Sequence, residues 1–382
     1  MMEYPKQKLG IVLKRAHEAV AIDPHSAYKQ VTVRLFHKGV VLRGEKSGLA
    51  IHTTRQWLIR PGQVLLSRID ARNGAIGIVP PELDRAVVTN DFWAFDVNPE
   101  IALPRFLDAY FGTFDFVQAC NAASEGTTNR VRLQPDRFLR IEVPLPSLDE
   151  QRRTVSRIDG FSCKVREIRK LRSETRAEQS RMLVAAYRKV IAGAESRLMD
   201  DVAPLVRRPV QVDPLAEYRE LGIRSFGKGT FHKPPITGAM LGSKRIFRIE
   251  PGDLLFNIVF AWEGAVAVAQ PQDRGRVGSH RFLTCVPVDG HILTPFLAFH
   301  FITDRGLEEL GTASPGGAGR NRTLGIDALA RIKVPVPAPE RQRWFTSLLE
   351  KAEAANRLRI EVGTELDALM PSILSKAFRG EL

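Results

Sequence analysis

Residues 141–153, IEVPLPSLDEQRR, decide the fold of this chain. They read as a short β-branched strand ended by Pro144 and Pro146. The acid pair Asp149 and Glu150 follows, at a place where the macrodipole of a helix favours negative charge. No proline interrupts the chain from there to about residue 192. We therefore predict one continuous helix of about 44 residues, which would be roughly 66 Å long and too long for ordinary globular packing.

The same stretch occurs twice in the chain. Residues 332–343 read IKVPVPAPERQR, and the segment LMPSILSKAFRGEL near the end corresponds to SRMLVAAYRKVIAG in the first copy. Ile332 minus Ile141 and Phe378 minus Tyr187 both give 191. Upstream, RPGQVLLS matches EPGDLLFN, and Pro251 minus Pro61 gives 190. A nearly constant offset along the chain indicates a direct duplication, in which each mixed domain is followed by a long helix.

The duplication predicts an α+β fold with two mixed α/β domains separated by two long antiparallel coiled-coil helices. Approximate two-fold symmetry is expected, because an isologous contact satisfies both apolar helix faces at once. The predicted bounds are 1–148 for the first domain, 149–193 for the first helix, 194–338 for the second domain and 339–382 for the second helix.

Apolar residues at coiled-coil spacing predict the contact between the helices, which we term the seam. The predicted seam of the first helix is Ile158, Phe161, Val165 and Ile168. The predicted seam of the second helix is Leu348, Ala352, Ala355, Val362, Leu366, Leu369 and Ile373. Arg172, Thr175 and Gln179 interrupt the first stripe, and Arg359 interrupts the second. Polar seam positions more often fix helix register than bind a ligand.

Composition sets the class of protein and its expected partners. The 382 residues are enough for two or three domains, and 56 Lys+Arg against 43 Asp+Glu give a net charge of +13. This charge favours a polyanionic partner, although many basic proteins bind no nucleic acid. No apolar run approaches the ~18 residues of a membrane helix, and MMEYPKQKLG lacks the apolar core of a signal peptide. We predict a cytoplasmic protein with three unpaired, buried cysteines.

The two copies agree at glycine, proline, aromatic and aliphatic positions and differ in loops rich in hydrogen-bond donors. Arg and Asn suit bidentate contact with guanine and adenine edges, and glycine-rich loops allow backbone N–H groups to approach phosphate. A solvated basic face is the more frequent explanation for any single residue, but the whole set favours two readers of different sequences. The candidates are, in the first domain, Lys38, Arg43, Lys46, Arg68, Arg72, Asn73, Asn90, Arg130 and Arg132, and in the second, Lys228, Lys233, Asn257, Trp262, His280, Arg281, Arg320, Asn321 and Arg322. Arg43, Lys46 and Lys233 are expected in the turns after the first shared strand.

Sequence patterns of catalysis are missing. The chain has no GxxxxGK[ST] phosphate loop, no HExxH pair, no His-Cys cluster and no GxSxG elbow. Its carboxylates are scattered without a nuclease-like pair. We therefore expect neither catalysis nor a metal or cofactor in this chain.

At this point the chain resembles the specificity (S) subunit of type I restriction-modification systems over essentially its full length. The resemblance rests on VPxP followed by [E/R]QR at Val143 and Val334, on the segment ILSKAFRGEL, and on the motifs LLSRIDARNGA and LLFNIVFAWEGA. It implies that two target recognition domains on a coiled coil each read one half of a bipartite DNA target. Two methylation (M) subunits would dock on this scaffold and restriction (R) subunits would join them. The M subunits, not S, would bind S-adenosylmethionine.

One residue departs from the pattern of that family. Arg341 stands where the first copy has Glu150, which is expected to alter a local M contact. Two alternatives stay open from the sequence: an S-like adaptor of a methylation-only or phage-exclusion system, and a stand-alone nuclease with an unfamiliar site. Neighbouring genes for an adenine methyltransferase and a helicase-nuclease would separate a type I specificity subunit from an S-like adaptor. Metal-dependent cleavage of DNA by the purified chain would favour the stand-alone nuclease.

Overall fold

Short β-branched segments between glycine and proline turns form the strands of this protein, as the sequence pattern predicts. The structure is a computed structural model that describes residues 4–53, 55–126, 131–316 and 322–382. The chain forms two units. Unit 1 consists of Met1–Arg172 with Arg359–Leu382, and unit 2 consists of Ser173–Leu358.

Unit 1 contains the first mixed domain. Its strands are β1 (Lys6–Lys8), β2 (Leu13–Ala16), β3 (Glu18–Ala21), β4 (Ala27–Val33), β5 (Val40–Ser47), β6 (Arg55–Leu58), β7 (Val64–Ser67), β8 (Ile76–Ile78), β9 (Val87–Val88), β10 (Phe92–Val97), β11 (Ser124–Glu125), β12 (Arg132–Leu133) and β13 (Glu142–Pro144). Its helices are α1 (Leu9–Val12), α2 (Pro104–Phe111), α3 (Phe114–Ala122), α4 (Pro135–Leu139) and the first part of α5 (Leu148–Ile191).

Unit 1 has two larger sheets, beside the two-stranded sheets β1-β13 and β11-β12. An antiparallel sheet has the strand order β2-β10-β7-β8, and a second sheet has the order β3-β6-β9-β4-β5, in which β4 and β9 run parallel. Helices α2 and α3 supply Phe106, Phe111 and Phe116, all fully buried, to the core beside the first sheet. A separate core around Val31, Leu65 and Val88 includes buried residues from both sheets.

Unit 2 repeats this design. Its strands are β14 (Glu195–Leu198), β15 (Pro209–Val210), β16 (Glu217–Tyr218), β17 (Leu221–Ile223), β18 (Thr230–His232), β19 (Ile236–Thr237), β20 (Ile246–Arg248), β21 (Leu254–Asn257), β22 (Val266–Val268), β23 (Val277–Ser279), β24 (Phe282–Cys285) and β25 (Lys333–Val336). Its helices are α6 (Met199–Val202), α7 (Gly238–Leu241), α8 (Thr294–Phe301), α9 (Asp304–Thr312), α10 (Ile326–Ala330) and the first part of α11 (Pro339–Phe378). The sheet β22-β21-β24 corresponds to β8-β7-β10 of unit 1.

The predicted fold class, duplicated mixed domains with two long helices, is therefore confirmed. Helix α5 begins in unit 1 and helix α11 begins in unit 2. Among the described residues, no helix combines the length and the apolar character that crossing a membrane requires.

A buried glutamine fixes the start of each long helix to its own domain. Gln151 is fully buried; its Oε1 accepts from Leu103 N at 2.9 Å, and its Nε2 donates to Ile101 O and Pro146 O at 2.8 and 2.9 Å. Gln342 makes the equivalent three bonds in unit 2, to Leu293 N, His291 O and Pro337 O. These bonds satisfy backbone groups that burial would otherwise leave unpaired. These hydrogen bonds thus explain why the QR motif has a glutamine in both copies.

The two long helices pack antiparallel within each unit, and the packing corrects the predicted seam. Phe161, Ile168, Val362 and Leu369 are exposed by 37%, 43%, 52% and 40%, so these four predictions were wrong. Ile158, Val165, Ala352, Leu366 and Ile373 are buried, and Leu348 and Ala355 are half-buried. Around Ile158 and Leu366 the next inward position follows four residues later rather than three, at Ser162 and Met370, whereas Ala352 and Ala355 keep the predicted spacing of three.

Ser162 and Gly363 are small residues in this contact, which is why hydrophobicity alone misplaces it. Ser162 Oγ contacts Met370 Sδ at 3.8 Å, and a Cβ on Gly363 would lie 3.3 Å from the Arg172 guanidinium. Arg172 also donates to the carbonyl of Arg359 on the facing helix. Gln179 does the same to Ala352 O at 2.9 Å in unit 2. Two of the polar interruptions, Arg172 and Gln179, therefore bond to the backbone of the facing helix.

Each long helix ends in the unit in which it did not begin. Tyr187, near the end of α5, lies in the main core of unit 2, 5.5 Å from the Phe296 ring. Phe378, at the end of α11, packs on Phe106 and Tyr110 in unit 1, with ring centroids 5.1 and 5.0 Å apart. Both domains are thus completed by a residue from the other copy of the repeat.

Candidate nucleic-acid interface

The strands β7 and β21 both lead into a short 3-10 turn. The turn covers Ala71–Asn73 in unit 1 and Ala261–Glu263 in unit 2. It ends at Gly74 or Gly264, each with a φ of 74°, a left-handed conformation that glycine adopts without a Cβ clash. The backbone of this turn is therefore the same in both units, while the side chains that it presents differ.

In unit 1 the turn presents cations and an amide. Arg68 lies over the Trp93 ring, 4.8 Å from its centroid. Arg72 is half-buried and its Nε is buried without a hydrogen-bond partner, whereas Asn73 is exposed. Asn121 Nδ2 donates to Arg72 O at 3.3 Å and connects the turn to α3. Arg72 in the turn and Arg68 before it thus place two guanidinium groups close to the domain body.

In unit 2 the same turn is closed by its own side chains. Asn257 Oδ1 accepts from Val259 N at 3.1 Å, and Trp262 Nε1 donates to Val259 O at 2.9 Å. Arg322 lies over the Trp262 ring at 5.2 Å. Of the predicted contacts, Asn257 therefore keeps its amide nitrogen and one lone pair of Oδ1 for a ligand, and Trp262 offers a ring that already stacks a cation.

The charge beside these turns also differs between the units. In unit 1, Arg132 pairs with Asp91 at 3.6 Å. At the equivalent positions of the repeat, unit 2 has Arg322 and Arg281, so that the acid is replaced by a second cation. Arg281 is exposed, as is the adjacent predicted residue His280. At these two positions unit 2 is thus more positive, whereas it has Ile258 and Trp262 in place of Arg68 and Arg72 of unit 1.

Unit 1 has a further aromatic group, Trp57, that is not among the predicted residues. Trp57 Nε1 donates to Oδ1 of the predicted residue Asn90, and Arg55 lies over the Trp57 ring at 5.3 Å. His17 meets the same ring edge-on, with centroids 5.0 Å apart. Arg55, two residues before Trp57, was a usable signal, because basic and aromatic residues together are typical of nucleic-acid surfaces.

The predicted lysines Lys38 and Lys228 lie in the same loop of the two units and are exposed. Each approaches the ring of a nearby phenylalanine, at 5.9 Å from Phe36 and 5.5 Å from Phe226. Both phenylalanines have a left-handed backbone, with φ of 58° and 62°, and are exposed by 75% and 72%. Such conformations cost on the order of 1 kcal/mol or more for a bulky residue. The same left-handed conformation occurs in both units, so this loop is a shared feature of the two domains.

Several predicted residues lie in other places than expected. Arg43 and Lys46 are exposed on β5, not in a turn, because the chain reverses earlier, between Val33 and Val40. Lys233 follows β18 and pairs with Glu220 at 3.8 Å. Arg130, Arg320 and Asn321 lie outside the described residues.

Across the ranges that the structure describes, no group of three or more His, Cys, Asp or Glu residues is placed to hold a metal ion. The three cysteines are unpaired; Cys120 and Cys285 are buried, and burial raises the pKa of each thiol to about 12. Cys163 is exposed, which corrects the prediction that all three are buried. What the candidate surface offers chemically is guanidinium groups, amides and aromatic rings, which suit a polyanion with stacking bases.

Comparison with known proteins gives similarity of structure only. No protein-family model matches the chain, and no curated protein matches its sequence. Among solved structures, the HsdS subunit from Thermoanaerobacter tengcongensis aligns over 100% of this chain and 98% of its own, with 22% identity and a TM-score of 0.60. A chain from a structure describing complex assembly and conformational transition of the type I R-M system aligns over the full length of both chains, with 22% identity and a TM-score of 0.73. The chain therefore has the fold of the specificity subunits of type I restriction-modification systems.

Proposed function

We propose that this protein is the DNA-binding specificity subunit of a type I restriction-modification complex, and that it reads a bipartite target with one domain per half-site. The observation that carries this proposal is the full-length similarity to the type I R-M chain, with a TM-score of 0.73. The matching turn backbones with different side chains, Arg72 against Trp262, support the reading of two different half-sites. We propose residues 1–148 and 194–338 as the two target recognition domains.

The partners belong to the same proposal. Two M subunits would dock on the scaffold, and R subunits would join them; one structural neighbour belongs to a structure that concerns complex assembly of the type I R-M system. The long helices carry exposed apolar side chains that a partner would cover, among them Ile168, Leu358, Ile360 and Val362. S itself would be non-catalytic and would bind no cofactor, since adenine methylation belongs to the M subunits. The complex would act in the cytoplasm.

Methylation mapping tests the two-reader proposal. The chain is produced with the M subunit encoded beside it, and modified adenines are sequenced for the unaltered complex and for Arg72→Ala and Trp262→Ala. These two residues are equivalent in the repeat, so they form a matched pair. We expect a bipartite motif that each variant relaxes in a different half, by about 1–3 kcal/mol if the side chain contacts a base.

The control is Arg60→Ala, because Arg60 pairs with Glu18 at 2.6 Å and with Asp84 at 3.6 Å and is not a predicted DNA contact. Its motif should equal that of the unaltered complex. Relaxation of one and the same half by Arg72→Ala and Trp262→Ala would refute two independent readers. A continuous, unsplit motif would refute the bipartite target.

A further inference from the structure

Two arginines of unit 1 converge on one tryptophan. Trp93 lies on β10 and is 5% exposed. Arg15, from the neighbouring strand β2, has its guanidinium carbon 4.9 Å from the centroid of the Trp93 ring, and Arg68, which follows β7, lies at 4.8 Å. Arg15 also lies over Phe95 at 5.4 Å. Cation–π attraction holds each guanidinium in place but does not cancel its charge.

The positive charge of this cluster has no acidic partner among the residues that the structure describes. Neither Arg15 nor Arg68 forms an ion pair there, and the Nε of each is buried without a hydrogen-bond partner. The nearby carboxylate of Asp91 pairs with Arg132 instead. Burial, and next the charge of Arg68, lower the pKa of Arg15 to about 10. Both guanidinium groups would therefore gain from an anion.

The scaffold does not require this cluster. The equivalent positions of the repeat, at the offset of 190, are Leu205, Leu283 and Ile258, and all three belong to or pack against the main apolar core of unit 2. Strand pairing supports the correspondence, since Arg15 faces Phe95 and Leu205 faces Cys285 at the same offset. Unit 1 thus has two cations and a tryptophan where unit 2 has three aliphatic residues. Such a replacement costs stability unless a ligand compensates for it.

We propose that Arg15, Trp93 and Arg68 form a binding site for one phosphate of a DNA strand, present in the first domain and not in the second. The inference rests on the proposed function for the identity of the polyanion. Two guanidinium groups fixed against one ring can donate to the oxygens of a single phosphate, and no base edge is needed to satisfy them. The site therefore adds affinity without sequence information.

The test uses the complex with its M subunit and measures Kd for duplex DNA over a series of salt concentrations. We expect Arg15→Gln and Arg68→Gln each to weaken binding about tenfold and to lower the slope of log K against log salt by about one. The loss should be the same for the specific target and for unrelated sequence. Arg60→Gln removes an ion-paired charge of the same unit and should change neither quantity.

A second variant guards against loss of folding. Arg15→Leu, Trp93→Leu and Arg68→Ile together install the residues of unit 2, which pack in the same scaffold. This triple variant should melt at or above the temperature of the unaltered protein and still bind DNA less tightly. An unchanged affinity and salt slope would overturn the inference, and so would a loss confined to the specific sequence, which would indicate base contact.

Pyrophosphate separates this inference from the proposed function. Without DNA, it should raise the Tm of the unaltered chain and not that of the triple variant. A chain that responds to pyrophosphate in this way but binds no DNA with its M subunit would keep the anion site and refute the proposed function. A chain that binds its DNA target while pyrophosphate shifts both proteins equally would keep the function and refute the site.

Discussion

The two units close their cores around the end of a long helix in different ways. In unit 1 the contact is aromatic: Phe378 packs on Phe106 and Tyr110. In unit 2 the equivalent residue is Tyr187, whose hydroxyl lies 2.6 Å from His300 Nδ1. His300 is fully buried, as its zero exposure shows, and its Nε2 lies 2.7 Å from Glu309 Oε2.

This difference indicates that the two helix ends are not interchangeable. With a neutral imidazole, Nε2–H donates to the Glu309 carboxylate and Nδ1 accepts from the Tyr187 hydroxyl, so every buried polar atom of the pair is used. Phe378 in that position would leave His300 Nδ1 unpaired, and Tyr187 in unit 1 would bury a hydroxyl among rings. A duplicated chain needs such discrimination, because both helices otherwise present similar apolar ends.

The largest effect is expected at the helix contact of unit 1. Leu366→Asp places a carboxylate at a buried position of the stripe and should destabilise the protein by about 4 kcal/mol. Leu369→Asp is the control, because Leu369 lies on the same helix but is 40% exposed and should change stability by less than about 1 kcal/mol. Urea unfolding followed by circular dichroism measures both. Equal losses would show that the stripe includes Leu369 after all.

The next largest effect is expected at the buried glutamine that both units have at the start of a long helix. Gln151→Leu and Gln342→Leu each leave three backbone groups without their partner, so we expect losses of about 2–4 kcal/mol in both cases. The same unfolding experiment measures them. A small effect in one unit only would mean that water replaces the glutamine there and that the helix starts differ.

A smaller effect should appear where the units differ. Tyr187→Phe removes the hydroxyl that His300 uses, and Phe378→Tyr adds a hydroxyl among the rings of unit 1; each should cost about 1–3 kcal/mol. Melting temperatures of the two variants and of the double variant provide the measurement. If the double variant were as stable as the unaltered protein, the two helix ends would be interchangeable.

The smallest effect is one of pH, and it has opposite signs in the two units. Burial would raise the pKa of Glu309, but hydrogen bonds from His300 and Arg305 outweigh it and hold the pKa below the ordinary 4.5. The stability contributed by Glu309 in unit 2 is present above pH 4.5 and lost as the pH falls through the lowered pKa.

In unit 1, burial raises the pKa of Asp108 above its ordinary 3.8, against the charges of His37 and Arg105. Its contribution is present below pH 3.8 and lost as the pH rises through the raised value.

Unfolding measured from pH 7 to pH 3 tests these signs. Glu309→Gln should reduce the loss of stability in acid, whereas Asp108→Asn should raise stability at neutral pH and leave less to gain on acidification. If the free energy of unfolding depended on pH in the same way in both variants, the predicted difference in sign between the units would be wrong.

The sequence predicted the helices, the repeat and the mixed domains because glycines, prolines and apolar periods are local signals. It misplaced Phe161, Ile168, Val362 and Leu369 because a search for apolar residues passes over Ser162 and Gly363, which allow close approach by being small. Register between two helices depends on shape as well as on hydrophobicity.

The candidate site was less predictable for a related reason. The turn after β7 was found because its motif repeats, but Arg15 and Trp93 were not, since they lie far apart in the sequence and meet only through the pairing of β2 with β10. Arg43 and Lys46 were placed in a turn because the sequence does not mark where β4 ends and β5 begins. Contacts between strands distant in sequence require the topology first.

The exchange of helix ends has a consequence for synthesis on the ribosome. Unit 1 needs Phe378 and the rest of Arg359–Leu382, which emerge only after all of Ser173–Leu358 has been made. Until then the rings of Phe106 and Tyr110 lack their cover, and the nascent first domain exposes an aromatic pocket to chaperones and proteases. Unit 2, continuous in sequence, can complete its core first. The domain that is translated first is thus the last to finish folding.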